Sequence, residues 1–257
     1  MGAVIDAAAL DDAIERGSLA LPAVAGMTWW VPIPGVTVRD SAFDSHRANQ
    51  VAGARLLPEQ IDGTVAAVRA HFGARRSSWN VGVASTPSRL EPALASAGYA
   101  MTRESAGLAM IGLDRPIPAP AVTIRRAEPS DAERLAHIGA TEFGQDADEA
   151  RWLQRWSLAS PELFVWLVCE HDDRDAPILA FGQGFHGRDG IARLSGAATL
   201  PHARGRGLYR ALLQHRLQQA HRAGQAAAVI QANDETSGPI CRRVGFGDRG
   251  RVRLWVR

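Results

Sequence analysis

The chain reads as an α/β protein on mixed sheet, arranged in two halves, and three features of the sequence predict this. From residue 122 onward the pattern alternates strand, two helices, three strands, helix, strand, helix, strand, an order that packs helices around one sheet. The stretch "DRPIPAPAV" at residues 114–122 holds Pro116, Pro118 and Pro120, and such spacing blocks helix and favours a stiff extended segment. The first half then echoes the end of the second. "SSWNVGV", "SRLEPALASAGY" and "AGLAMIGL" read as strand, helix closing on Gly98-Tyr99, and strand, beside "ICRRVGF" closing on Gly245-Phe246. These features place a domain boundary at residue 117, giving a smaller domain at 1–117 and a second at 118–257.

The elements of the second half follow in order. "VTIRRAEPSDAERLAHIGA" is a short strand and then a helix, with Ser130 and Glu133 spaced as a capping box and Leu135 and Ile138 on an apolar stripe. "DEARWLQRWSLA" is a second helix whose Trp152 and Trp156 share a face, as residues four apart do, for core packing or as a wall of an acceptor site. "LFVWLVCEH", "PILAFGQGF" and "GIARLSGAATL" are strands, the first two separated by the acidic turn "DDRDA". A helix with Leu208, Leu212, Leu213 and Leu217 on its buried faces comes next. The buried strand "AAAVIQA", the short helix "SGPICRRV" and the final strand "RVRLWVR" complete the chain.

Composition narrows the functional classes. Hydrophobic residues make up 46% of the 257 and charged residues 22%, enough apolar material for a packed core in a soluble protein. All 29 basic residues are arginine, the net charge is only +2, and the arginines are scattered, which argues against a nucleic-acid partner. No apolar run approaches the roughly 18 residues that span a bilayer, so no membrane role is expected. The first residues carry Asp6, Asp11 and Asp12 where a signal peptide is basic and then apolar. The two cysteines, Cys169 and Cys241, have neither metal nor disulfide spacing. A cytoplasmic protein is the simplest expectation; its oligomeric state, monomer or homodimer, is open.

The most informative stretch is "LPHARGRGLYRALLQHRL", residues 200–217. Gly205 and Gly207 let backbone N–H groups point inward, and the helix after them leaves its first donors unpaired. With the helix dipole these donors form an anion cradle, to which Arg204 and Arg206 add charge-assisted hydrogen bonds. A P-loop lacks support, since no Gly-Lys-Ser/Thr follows, and no dinucleotide fingerprint lies near the first strand.

The loop follows an apolar strand, opens a helix, and precedes a buried strand, Asn233 and a helix ending in Gly-Phe. This run resembles the GNAT family of acyl-CoA-dependent N-acyltransferases. Their diphosphate loop, Arg/Gln-x-x-Gly-x-Gly/Ala, is matched by Arg204 and Gly207 and imperfectly by Tyr209; "NDETSGPICRRVGF" and "TIRRAEPSDAERLAHI" match later and earlier family segments. The first half resembles a degenerate second copy, as in tandem members.

The resemblance implies acetyl-CoA as co-substrate and an amine acceptor, on a small molecule or a protein. It implies that backbone groups of Ala198, Thr199 and Leu200 pair with the pantetheine arm, that an N–H near Ala198 polarises the thioester, and that the N–H groups of Gly205, Arg206, Gly207, Leu208 and Tyr209 hold the diphosphate. Asn233 is implied to bond the coenzyme near its sulfur. The family's tyrosine acid falls at Cys241, whose thiol either donates the proton or fills a small apolar site. For a general base the sequence offers Glu142 and His186, each also readable as a surface residue; His202 stands beside the loop. A non-catalytic acetyl-CoA sensor or scaffold is the competing expectation.

Overall fold

The computed structural model describes residues 5–113 and 122–257. In chain order it forms α1 (Ala7–Arg16), β1 (Thr28–Val31), β2 (Thr37–Ser41), β3 (Gln50–Ala52), α2 (Ile61–Phe72), β4 (Ser78–Val81), α3 (Leu90–Ser96) and β5 (Ala100–Ile111). The second half follows as β6 (Ile124–Arg126), α4 (Ala132–Phe143), α5 (Ala147–Ala159), β7 (Leu163–Cys169), β8 (Ile178–His186), β9 (Ile191–Thr199), α6 (Leu208–Arg222), β10 (Ala227–Ala232), α7 (Ser237–Val244) and β11 (Gly247–Val256). The mixed α/β class expected from the sequence is the class observed. The proline-rich boundary at residues 114–121 lies outside the described residues.

The eleven strands of the described residues join one sheet, in the order β1-β2-β3-β4-β11-β5-β10-β9-β8-β7-β6. The middle of that order interleaves the halves. The last strand of the first half, β5, lies between β11 and β10, and the last strand of the chain, β11, lies between β4 and β5. The halves therefore share backbone ladders at the centre of the sheet. Each contributes one parallel joint, β3 with β4 and β9 with β10, among otherwise antiparallel pairs.

The apolar run in β10 follows from burial on both faces. Ala227 and Val229 pack against Leu10, Ala13 and Ile14 of α1, while Ala228 and Ile230 pack against Leu213 and Leu217 of α6. Helix α1 starts at Asp6, whose carboxylate accepts the Ala9 amide at 2.7 Å. A second seam joins α5 to the first half. Trp156 packs with Leu21, Arg39 lies over its ring at 4.6 Å, and Trp152 stacks on Phe43 at 5.7 Å. Of the two readings of this tryptophan face, packing is the one the contacts carry.

Two local details differ from the sequence reading. The turn before α4 is capped by Asp131, which accepts the Glu128 amide at 2.9 Å, while Ser130 receives Arg174 instead of capping. Asp131 is also held by the Arg125 fork at 2.7 and 2.8 Å, a stronger pull than a hydroxyl offers. Strands β5 and β11 also start earlier than the apolar pattern suggests, because the opening residues of each hydrogen-bond along the other strand. Among the described residues no helix is long and apolar enough to cross a membrane.

Because β11, the last strand of the second half, is hydrogen-bonded between two strands of the first half, trimming its buried Val252 is expected to loosen both halves together. Val252→Ala should cost about 2 kcal/mol, and hydrogen exchange should speed up in β4 and β10 alike; a change confined to one half contradicts the shared centre.

Candidate active site

Strands β9 and β10 pair in parallel only from Ile191/Ala227 to Leu194/Ile230, and then part. The cause is an extra residue in β9. Opposite β8, Gln183 faces Ser195 and Phe181 faces Ala198, so Gly196 and Ala197 bulge against the single Gly182. Gly196 has φ 45, and a Cβ there would stand 2.9 Å from Gln183 Oε1. Arg216, fully buried on the leucine face of α6, clamps the bulge by donating to the carbonyls of Gln183 and Ser195 at 3.1 and 3.4 Å. Gly182 leaves the space for it, since a Cβ there would lie 3.0 Å from the guanidinium carbon. The result is a fork whose open end faces the start of α6.

At that mouth Gly205 and Gly207 adopt φ 77 and 75, and a Cβ on either would meet nothing within 4 Å. The amides of residues 205–210 find no acceptor among the described residues; the first helical amide bonded back is Ala211, to Gly207. Six consecutive donors thus lie together at an exposed helix mouth, and the first turn of α6 carries no acid. Arg206 is exposed and meets no carboxylate among the described residues.

The other expected coenzyme residues divide. The Leu200 amide donates to the Leu179 carbonyl at 2.9 Å and its carbonyl accepts Ala203, so neither group is left for a pantetheine arm. Ala198, two residues back, pairs with β8 in the same sense, whereas Thr199 directs its backbone towards the β10 side. Arg204 donates to the Thr199 carbonyl at 3.1 Å and pairs with Glu142 at 2.7 Å, so the expected phosphate cation and the expected base hold each other. Asn233 spends its side-chain oxygen on the amides of Glu235 and Thr236 and keeps its NH2 group.

Tyr209 turns its ring inward. Its hydroxyl lies 3.7 Å from the Cys241 sulfur, and burial pushes its pKa up to about 12. Cys241 is fully buried in the cluster with Leu213 and Leu217, and burial raises its thiol pKa too. The thiol is protonated, but it has no surface for a leaving group to reach. His186 is half-buried with Nε2 unpartnered and burial lowers its pKa, yet it packs on Phe164 away from the fork; His202 is exposed on the turn before the loop.

On the α1 side the fork opens into a cleft of about 640 Å³. One wall is second-half, from Ser195, Gly196, Ala197 and Phe143; the other is first-half, from His46, Gln50, Asn80 and Arg103. The His46 imidazole has no hydrogen-bond partner among the described residues, and burial, reinforced by Arg47, lowers its pKa below the ordinary histidine value.

Residues 132–246 match the family model of the Acetyltransferase (GNAT) family. The chain carries a GNAT domain. A GCN5-related N-acetyltransferase from Kribbella flavida superposes with TM-score 0.70 at 20% identity, over 99% of this chain and 96% of that one. A GCN5-related N-acetyltransferase from Sphaerobacter thermophilus gives TM-score 0.57 at 18% identity, over 87% of this chain and 76% of that one. A tandem GNAT protein from the clavulanic acid biosynthesis pathway gives 0.56 at 16%, over 95% and 87%. No protein of curated function matches the sequence. The GNAT fold supports acyl transfer in general, and acetyl-CoA is the family's donor.

The fork and the cradle lie within residues 132–246, the cleft draws one wall from outside them, and sequence reading reached only the cradle. Arg216 had a signal, an arginine at the spacing of Leu212 and Leu213 on an apolar face. His46 and Arg103 had none, because only the interleaved sheet brings them to the fork. Glu142 competes with an anion for Arg204. Glu142→Gln should therefore tighten coenzyme binding by about threefold at low salt, read by calorimetric titration; weaker binding would mean that Glu142 supports the loop rather than competing with it.

Proposed function

We propose that the protein transfers an acyl group, acetyl in the simplest case, from acetyl-CoA to a primary amine by direct attack in a ternary complex. The observation that carries this is the row of open amides at residues 205–210, set at the mouth of a fork that leads into a polar cleft. The amides and Arg206 hold the diphosphate. The pantetheine arm enters the fork along Thr199, and the NH2 group of Asn233 bonds it from the β10 side. The thioester then reaches the bulge, where an amide donor stabilises charge developing on the carbonyl oxygen by about 3 kcal/mol.

The amine nitrogen attacks the carbonyl carbon; the C–N bond forms, the C–S bond breaks, and the thiolate leaves with the bonding pair. The amine must shed a proton. We assign that step to His46, the neutral imidazole on the cleft wall, in place of Glu142, which is engaged with Arg204. No dedicated acid is needed, since a thiol of pKa about 8.5 is a stable leaving anion near neutrality. Cys241 and Tyr209 are then the packed floor under the coenzyme. Residues 118–257 form the coenzyme-binding unit and residues 1–117 a GNAT-like partner that walls the acceptor cleft.

One observation favours a binding module without turnover: among the described residues no carboxylate lines the cleft. The His46 assignment separates the readings. His46→Gln should lower kcat about 100-fold and leave coenzyme affinity unchanged. The wild-type rate should fall with acidity only below about pH 6.5, because the active form is neutral and its folded pKa is depressed. A rate unaffected by the substitution removes His46 from the mechanism.

The cradle is tested separately. Gly207→Glu places a carboxylate and a strained backbone at the helix mouth, and Arg206→Glu reverses a charge on an exposed side chain. Both should abolish the thermal stabilisation given by acetyl-CoA, the second with the unliganded melting temperature unchanged. Full stabilisation of both variants contradicts diphosphate binding at this turn.

A further inference from the structure

The cleft wall facing the fork has a charge pattern that selects among acceptors. Among the described residues no aspartate or glutamate lines the cleft, while Arg47, Arg103 and Arg193 do, together with His46. Two of the three arginines are compensated from behind: Arg47 by Glu149 at 2.9 Å and Arg193 by Asp189 at 2.6 Å. Arg103 meets no carboxylate and no hydrogen-bond acceptor among the described residues. The acid beside it in sequence, Glu104, cannot help. Successive residues of β5 point to opposite faces, and Glu104 is taken by Arg253 at 2.7 Å.

Resting on the acyl-transfer reading, we propose that the acceptor is an amine that also carries an oxyanion, carboxylate or phosphate, received by the Arg103 guanidinium on the first-half wall. A solvent-accessible guanidinium on a cleft wall, with no carboxylate partner among the described residues, favours a group that returns a negative charge and fits its planar fork, and both oxyanions do. Asn80 and Ser105, which line the same wall, offer further hydrogen bonds to such a group. With its oxyanion anchored there, the molecule extends its amine across the cleft towards Ser195–Ala197, where the thioester is held. A polycationic amine meets like charge on this wall and is disfavoured. The second reason for the first half emerges from this: its long strand β5 carries the specificity residue into the centre of the sheet.

The test uses the full chain with acetyl-CoA and four probes: an ω-amino carboxylate, its primary amide, an aminoalkyl phosphate, and a polycationic aminoglycoside. Thiol release and calorimetric binding are read for the wild type, Arg103→Gln and Arg103→Lys, with coenzyme-dependent melting as the check on folding. The expected result is a KM for a probe bearing an oxyanion at least about tenfold below that of the amide, lost in Arg103→Gln through KM with kcat little changed, and partly kept in Arg103→Lys. Preference for the phosphate or the carboxylate identifies which oxyanion is read. Equal or better turnover of the amide or the aminoglycoside, or no effect of Arg103→Gln, overturns the proposal while acyl transfer stands. Absence of turnover with Arg103-dependent binding of the oxyanion probes overturns acyl transfer and leaves only the oxyanion site at Arg103 standing; absence of both overturns both.

Discussion

The structure depends on a ladder that stops. Pairing between β9 and β10 ends at Leu194 and Ile230, and the strands continue apart because Gly196 and Ala197 bulge against β8. Backbone groups left unpaired in a sheet interior are costly unless something bonds them. Nearby, α6 begins behind two left-handed glycines with six amides that no described residue accepts. The amides at the helix mouth face solvent, so water meets them until a stronger acceptor takes its place. The buried Arg216 maintains the opening by fastening the bulge through two carbonyls.

The first half contains the same joint in a different state. Strands β3 and β4 pair in parallel only at Gln50/Ser78 and Val51/Trp79 before parting. There the opening is filled by this chain's own α1. Glu15, fully buried, accepts the Gly53 amide at 2.8 Å and the Ser85 hydroxyl at 2.7 Å, with Arg55 beside it. Gly82 makes room, since a Cβ there would lie 3.0 Å from that of Glu15. One fork is thus satisfied internally by a carboxylate and one is open. The interleaved strands β5 and β11 hold the filled fork and the open one in a single sheet, and the cleft lies between them.

Much of the second half was legible because its chemistry is local. Period-two and helical apolar patterns located β7 to β10 and α4 to α6, and the Arg-Gly pairs before Leu208 marked the helix mouth. What was not legible depended on partners distant in sequence. Arg204 read as a phosphate cation and Glu142 as a base, but 62 residues of separation hid their pairing with each other. Leu200 read as a pantetheine contact until its amide was found on Leu179. Tyr209 stood out as a misfit in the loop; its ring faces Cys241, a contact made only by the docking of α6 on α7. His46 and Arg103 carry no local signature, and the strand exchange alone makes them walls of the cleft.

The central claim, that the amides of residues 205–210 are the receiving end of a coenzyme, is tested most directly by amide hydrogen exchange with and without acetyl-CoA. Open donors on a solvent-facing turn exchange quickly, so the coenzyme should slow these six, with smaller protection at Thr199. Saturating acetyl-CoA that leaves their exchange unchanged, or protects other segments only, contradicts the account.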